Sequence, residues 1–382
     1  MQRSRLHTLH DAGVSIWLDN IDRAMLRDGS LARRIAEDAL TGQTSNPTIF
    51  EKALAEGTDY DAQLRSAGRG LEPGALFELV ETEDVRAACD LFLPVYQRTG
   101  GRDGFVSIEV SPGAANDANA TVEEARRLWK TVARPNVMVK VPGTAEGSKA
   151  VRTLLGEGIN INITLLFAVS AYQRVIDAYL MALEDRLSRG EPIERIASVA
   201  SFFVSRVDNE VDKRLDAIIA KGGEDAAKAK ALKGMAAIAN AKLAYQRYGE
   251  MFAGPRWDRL RARGARLQRP LWASTSTKNP EYRDVRYVEE LIGPDSVNTM
   301  PPATIEAFRD HGETRRTVDR DVDRAAATIS ELRQLGIDID QVTDLLLAQG
   351  IASFQKSFDT LIGGLEKKAQ QLGRGSGAAV TA

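Results

Sequence analysis

Short apolar or β-branched runs recur along the chain, and between them apolar residues fall at helical spacing. The runs lie at 14–19 (VSIWLD), 42–46 (GQTSN), 104–110 (GFVSIEV), 136–141 (NVMVKV), 158–164 (GININIT), 197–203 (ASVASFF), 270–275 (PLWAST) and 295–300 (DSVNTM). Intervening segments such as SLARRIAEDAL, TVEEARRLWKTV, GSKAVRTLLGEG and FAVSAYQRVIDAYLMALEDRL are amphipathic. Strand–helix alternation of this kind predicts parallel βα units. Eight of them within roughly 300 residues predict an α/β fold of the (β/α)8 TIM-barrel type rather than an open doubly wound sheet.

Two connections are long enough for extra helices: residues 47–103, after strand two, and 207–269, after strand six. The second contains the Ala- and Lys-rich stretch EDAAKAKALKGMAAIANAKLAYQRYGEMF, which reads most simply as outer barrel helices. No internal repeat or Pro/Ser-rich linker divides the chain, so residues 1–370 are expected to form one barrel domain. The small, polar tail at 371–382 is expected to be disordered.

Polar residues on the strands change the picture from fold to chemistry. In GININITLLF, Ile159, Ile161 and Ile163 alternate with Asn160, Asn162 and Thr164. In a barrel strand the first set faces the helices and the second the interior, where buried amides need hydrogen-bond partners. Asp19 ends strand one with the parity of Ser15. Asn46 ends strand two, Glu109 lies near the end of strand three and Lys140 sits on strand four. Ser201 is on strand six and Ser274 on strand seven. A satisfied polar layer is the plain alternative for any one of them. Five consecutive strands, each delivering a polar or ionisable group toward the C-terminal end, favour a catalytic face.

Lys140 stands out inside NVMVKVPGT, because lysine is rarely buried without a reason. Desolvation disfavours an ammonium and nearby carboxylates favour it. A neutral amine attacks carbonyls to give a Schiff base, an electron sink suited to aldol cleavage or condensation. Arg206, just after SFFVS, is placed to hold an anion at a loop–helix junction. Its plain alternative is an ion pair with Asp208 or Glu210. The stretch GTAEGSK (143–149) has the wrong spacing for a nucleotide-binding loop and reads as the end of strand four and the start of a helix.

Composition removes other classes. Of 382 residues, 51 are basic and 53 acidic, a net charge of -2 that gives no reason to expect nucleic acid as the main partner. The single cysteine, Cys89, rules out an intrachain disulfide and a Cys-rich metal cluster, and fits a reducing cytoplasm. The N-terminal segment has no signal-like apolar region, and no run approaches the roughly 18 apolar residues of a membrane span. A soluble cytosolic protein is expected. His7, His10 and His311 are the only histidines, which leaves little for metal or histidine-based chemistry.

WLDNIDR, TSNPTIF, VSIEVSP, VMVKVPGT, GININITLLF, VASFFVSRVDNEVD and LWASTSTKNP occur in this order between about residue 14 and residue 365. Together they resemble the longer bacterial branch of the transaldolases. The resemblance implies a (β/α)8 barrel with Lys140 as the Schiff-base lysine. It implies transfer of a dihydroxyacetone unit in the non-oxidative pentose phosphate pathway. The donor would be sedoheptulose 7-phosphate or fructose 6-phosphate, and the acceptor glyceraldehyde 3-phosphate or erythrose 4-phosphate.

By the same resemblance, Glu109 would be the acid/base, acting through a water held by Thr164. Asp19 would take the C4 hydroxyl proton. Asn46 and Asn162 would bind the dihydroxyacetone hydroxyls, Ser201 would position the sugar chain, and Arg206 would bind the terminal phosphate. Phosphorylated sugars are the implied partners, with no nucleic acid, membrane, metal or organic cofactor, and the chain would be a monomer or homodimer.

One departure concerns strand seven. Many shorter transaldolases carry a second phosphate-binding arginine after an Ala-Ser pair, where this chain has ASTSTKNP with Ser274, Ser276 and Lys278. Lys278 would supply the charge as a less directional cation. Two rivals remain at this stage: an aldolase on the same scaffold, releasing dihydroxyacetone to water, and a non-catalytic sugar-phosphate binding protein. Asp19, Glu109 and Lys140 together argue against the latter.

Overall fold

The computed structural model describes residues 3–45, 57–66 and 71–375. Eight parallel strands close into a barrel in chain order: β1 (Val14–Leu18), β2 (Leu40–Thr44), β3 (Val106–Glu109), β4 (Val137–Pro142), β5 (Ile161–Leu166), β6 (Ser198–Phe203), β7 (Arg269–Ala273) and β8 (Ser296–Met300). β8 pairs back onto β1, so no edge is left open. This is the TIM barrel that the alternation of patterns predicts, with strand ends shifted by one to three residues.

The period-two pattern sorts side chains as expected. Ile16, Ile108, Val139, Ile161 and Ile163 point outward into one continuous apolar shell with the surrounding helices. Inside the barrel, Trp17, Phe105, Met138, Val199, Leu271 and Val297 form a separate plug. Gly42 on β2 belongs to this plug by necessity, since a Cβ there would lie 2.5 Å from the Trp17 indole. Below the plug, Asp103 accepts hydrogen bonds from the Trp17 ring nitrogen (2.9 Å) and from Ser15. The plug closes one end of the barrel, so polar residues above it open only toward the strand C-termini.

Both long connections carry extra helices. After β2 come helices Asp61–Ser66 and Pro73–Arg98; after β6 come Ser205–Lys221, Glu224–Leu232, Ala236–Met251 and Gly254–Ala262. The Ala-rich helix Ala236–Met251 packs on helices Val169–Ser188 and Val322–Gln334 in the outer layer. Helix Pro73–Arg98 is tied down by a buried ion pair, Arg23 Nε to Asp84 Oδ1 at 2.7 Å, with the Tyr60 hydroxyl donating to the other carboxylate oxygen at 2.9 Å.

The last helix, Ile339–Gly375, runs 37 residues and extends past residue 371, where the sequence suggests disorder; residues 376–382 lie outside the described part. Near its middle, Gly350 sits close to Leu165 of β5, so the helix crosses the C-terminal mouth of the barrel. Its later turns pack Leu361 and Leu365 against Tyr60, Leu64, Leu76, Phe77 and Val80 of the β2–β3 connection.

Candidate active site

Lys140 lies on β4 between two outward-facing, fully buried valines, so strand parity directs its side chain into the barrel. Register aligns Glu109 of β3, Lys140 of β4 and Asn162 of β5 side by side. The Lys140 ammonium donates to Glu109 Oε2 at 2.7 Å and to the Ser45 carbonyl at 3.2 Å. Only 11% of the lysine side chain and 7% of the glutamate side chain are exposed. A pair this buried gains strength from the low dielectric but has lost most of its hydration, so it is weak evidence for stability alone.

Burial is also the largest influence on the Glu109 carboxyl. It pushes the group above the usual carboxylate range, while Lys140 pulls it down and Asp19 adds to the rise. A carboxyl so tuned exchanges protons more readily near neutral pH than a solvated one. Asp19, just past β1, accepts a hydrogen bond from the Thr44 hydroxyl at 3.0 Å, and Thr44 lies 2.9 Å from the Thr299 hydroxyl.

Asn162 forms the floor. Its amide nitrogen donates to Ser107 Oγ at 3.0 Å, and its carbonyl accepts from Ser201 Oγ at 2.7 Å. The amide is thus fixed in orientation and fully buried. The polar alternation of β5 therefore does form a satisfied layer, and that layer supports the lysine.

Arg206 sits at the mouth, in the first turn of helix Ser205–Lys221, 5.3 Å from the centre of the Phe203 ring. The ion pair with Asp208 or Glu210 does not form. Asp208 instead accepts from the Ala237 backbone (2.7 Å) and the Tyr287 hydroxyl (2.8 Å), and Glu210 pairs with Arg214 at 2.9 Å. Among the described residues, no carboxylate lies within ion-pair distance of Arg206. Burial pulls its guanidinium below the usual range, with Asp19 opposing. A desolvated guanidinium without a partner is a receptor for an anion.

Ser274 follows β7 with φ of 56°, a left-handed conformation that costs a serine some strain, and its hydroxyl lies 3.0 Å from that of Ser205. Leu165, at the end of β5, is likewise left-handed with φ of 59°, where the β5–β6 register breaks. Strained positions of this kind cluster where a fold must present groups in fixed positions.

These groups line one cavity of about 420 Å³. Asp19, Glu109, Lys140, Thr164, Ser201, Arg206, Ser274 and Lys278 all line it. Asn162 lies beneath it, and Asn46 lies outside the described residues. The rejected nucleotide loop ends β4 and starts a helix: Thr144 caps helix Ala145–Gly156 by accepting from the Gly147 backbone at 2.9 Å. Sequence reasoning passed over Thr44, Thr299 and the last helix, which brings Gly350, Ser353, Phe354 and Ser357 to the same cavity. The parity of Thr44 and Thr299 on their strands was a usable signal. Nothing local to 350–357 marks it as a cavity wall. From the long connection after β6, only Ser205, Arg206 and Asn209 of the first helix reach the cavity among the described residues.

An amine paired with a high-set carboxyl, a second carboxylate and an unpaired guanidinium at the rim can form a Schiff base and break a carbon–carbon bond in an anionic substrate. Residues 16–365 match the family described as transaldolase/fructose-6-phosphate aldolase. The chain belongs to the transaldolase family. It is 48% identical over 371 residues to the transaldolase of Frankia alni, covering 97% of this chain and 98% of the relative. It is 47% identical over 378 residues to transaldolase 2 of Nostoc punctiforme, covering 97% and 99%. With the transaldolase of Thermobifida fusca the identity is 48% over 371 residues, covering 97% and 98%. The family match runs from within β1 into the last helix.

Proposed function

We propose that the protein is a transaldolase: it transfers a dihydroxyacetone unit from a ketose phosphate to an aldose phosphate through a Schiff base on Lys140. The observation that carries this reading is the buried Lys140–Glu109 pair, with Asp19 and Arg206 facing the same cavity. Glu109 accepts a proton from Lys140, and the neutral amine attacks the donor C2 carbonyl. The carbinolamine loses its hydroxyl as water, protonated by Glu109 through a water beside Thr164, leaving an iminium. Asp19 takes the C4 hydroxyl proton as the C3–C4 bond breaks. The bonding electrons move into the C2–nitrogen unit, giving an enamine, and the aldose departs. An incoming aldehyde is attacked by C3, Asp19 returns the proton, and hydrolysis frees Lys140.

Asn162, held by Ser107 and Ser201, presents its amide beneath the reacting carbons, and Asn46 is assigned a share in binding the dihydroxyacetone hydroxyls. Ser201 and Ser274 position the chain. Arg206 binds the terminal phosphate, and Lys278 supplies the second positive charge on the strand-seven side. Sugar phosphates as substrates agree with these two cations, neither of which is ion-paired among the described residues. Among the described residues no helix is long and apolar enough to cross a membrane, and a cytoplasmic setting fits the single, buried thiol of Cys89.

The family description also names fructose-6-phosphate aldolase. Transfer is favoured here because Glu109 stands as the acid/base beside Lys140, and because these relatives are named transaldolases. The test is to incubate sedoheptulose 7-phosphate with the protein, with and without glyceraldehyde 3-phosphate. Transfer requires erythrose 4-phosphate and fructose 6-phosphate to accumulate only with the acceptor. Free dihydroxyacetone released at a similar rate in both would instead mark an aldolase.

A further inference from the structure

Glu81 sits in helix Pro73–Arg98 and is only 7% exposed. Among the described residues its carboxylate accepts no hydrogen bond and pairs with no cation. Neighbouring acids are all served: Glu78 pairs with Arg127 at 2.8 Å, and Glu124 accepts from the Ser111 backbone (3.1 Å) and hydroxyl (2.8 Å). A buried carboxylate without a partner is costly, and a carboxyl in that position keeps its proton instead.

Glu81 also has a defined relation to the catalytic pair. A second, mostly apolar cavity of about 670 Å³ lies between this helix, helix Ala118–Val132 and the last helix. Glu81 lines it together with Glu109, and Glu109 and Phe354 line both cavities. Glu109 thus has Lys140 on one side and a space shared with Glu81 on the other.

We propose that Glu81 is a positioning residue that lends its proton to Glu109 at the enamine stage, when Glu109 loses its cationic partner. This rests on the transaldolase reading above. In the resting protein and in the iminium, a positive nitrogen faces the Glu109 carboxylate. When the C3–C4 bond breaks, its electrons neutralise the iminium, and the C4 hydroxyl proton goes to Asp19. Glu109 is then a buried anion beside a neutral nitrogen. The Glu81 proton moves toward Glu109 across the shared cavity, and the two carboxyls then carry one proton and one negative charge between them. When the acceptor is captured the iminium reforms, the proton returns to Glu81, and no net proton is consumed.

The electrostatics agree. Burial, first, and then Glu109 hold the Glu81 carboxyl well above the usual range, with Lys140 opposing and Glu124 and Glu78 adding to the rise. The last helix offers only Phe354 and Phe358 to this cavity, so no charge arrives from that side among the described residues.

The experiment compares full-length wild type, Glu81→Gln and Glu81→Leu. Borohydride trapping with fructose 6-phosphate reads Schiff-base formation. Single-turnover release of glyceraldehyde 3-phosphate from the same donor, between pH 6 and 9.5, reads cleavage. Both variants are expected to trap the adduct as wild type does. Cleavage is expected to fall about tenfold in Glu81→Leu, which leaves Glu109 unassisted, and less in Glu81→Gln, which keeps a neutral polar group in the shared cavity. Where wild-type cleavage declines with rising pH as Glu81 ionises, Glu81→Gln should lack that decline. Wild-type cleavage rates and an unchanged alkaline limb in both variants would overturn the proposal, as would equal losses in trapping and cleavage. Absence of an adduct in wild type would instead overturn the Schiff-base reading beneath it.

Discussion

Replacing Lys140 by methionine removes the amine but keeps an apolar stem, and its consequence for stability can be worked from the site. Glu109 would lose its 2.7 Å partner while remaining almost fully buried. Leaving one member of a buried pair charged costs about 3–5 kcal/mol. Glu109 has an escape, because its carboxyl is already set high by burial and Lys140 is the main influence holding it down. Once Lys140 is gone, the carboxyl takes a proton, at about 1.4 kcal/mol for each pH unit between its folded pKa and the working pH.

The net loss should therefore be larger at pH 8 than at pH 5, and at both below the roughly 3–5 kcal/mol of a carboxylate left charged and unpaired. The sign follows from linkage. A carboxyl raised in the folded state contributes stability that is intact below its unfolded pKa and is lost as pH rises through its folded value. Denaturant midpoints of wild type, Lys140→Met and Lys140→Met/Glu109→Gln at pH 5 and pH 8 make the assay. The double variant should remove most of the pH dependence, since the titrating group is gone. Equal stability of Lys140→Met and wild type at pH 8, or a loss equal at both pH values, would refute the claim that Glu109 depends on Lys140.

Other substitutions separate the roles assigned to the cavity. Asp19→Ala should still form a borohydride-trappable adduct while carbon–carbon cleavage stalls; turnover near wild type would place the proton acceptor elsewhere. Arg206→Ala should raise KM for phosphorylated donors by about ten- to a hundredfold, in line with about 1.5–3 kcal/mol for a hydrogen bond to a charged group. It should leave the response to free dihydroxyacetone nearly unchanged, and equal effects on both would remove Arg206 from the phosphate site. Gly350→Leu should cost about 1–3 kcal/mol and lower kcat/KM, because a Cβ at Gly350 already lies 3.1 Å from the Leu165 side chain; unchanged melting and kinetics would mean the last helix does not pack on the barrel mouth.

The strands were legible because a closed barrel imposes two-sidedness on every one of them. Ile161 and Ile163 had to meet helices, and Asn162 had to find partners inside. Lys140 could be assigned an inward direction from parity alone. Arg206 was readable as an anion site only in part, because sequence adjacency could not say whether Asp208 or Glu210 would take its charge; both are held by other groups.

Two features could not be read from the chain. The crossing of the last helix over the mouth is decided by long-range contacts between Leu361 or Leu365 and the β2–β3 connection, about 300 residues away in sequence. Glu81 sits in the run ETED, whose acidic composition suggests a solvated helix face. Its burial follows from how helix Pro73–Arg98 is rotated, which the Arg23–Asp84 pair and the apolar neighbours Phe77 and Val80 fix.

The central claim is that Lys140 is the group that attacks the substrate carbonyl. Its most direct test is reduction with borohydride in the presence of fructose 6-phosphate, followed by peptide mapping by mass spectrometry. A single dihydroxyacetone-derived adduct on Lys140, absent from Lys140→Met, is the predicted result. No adduct, or one on any other lysine, would contradict the account.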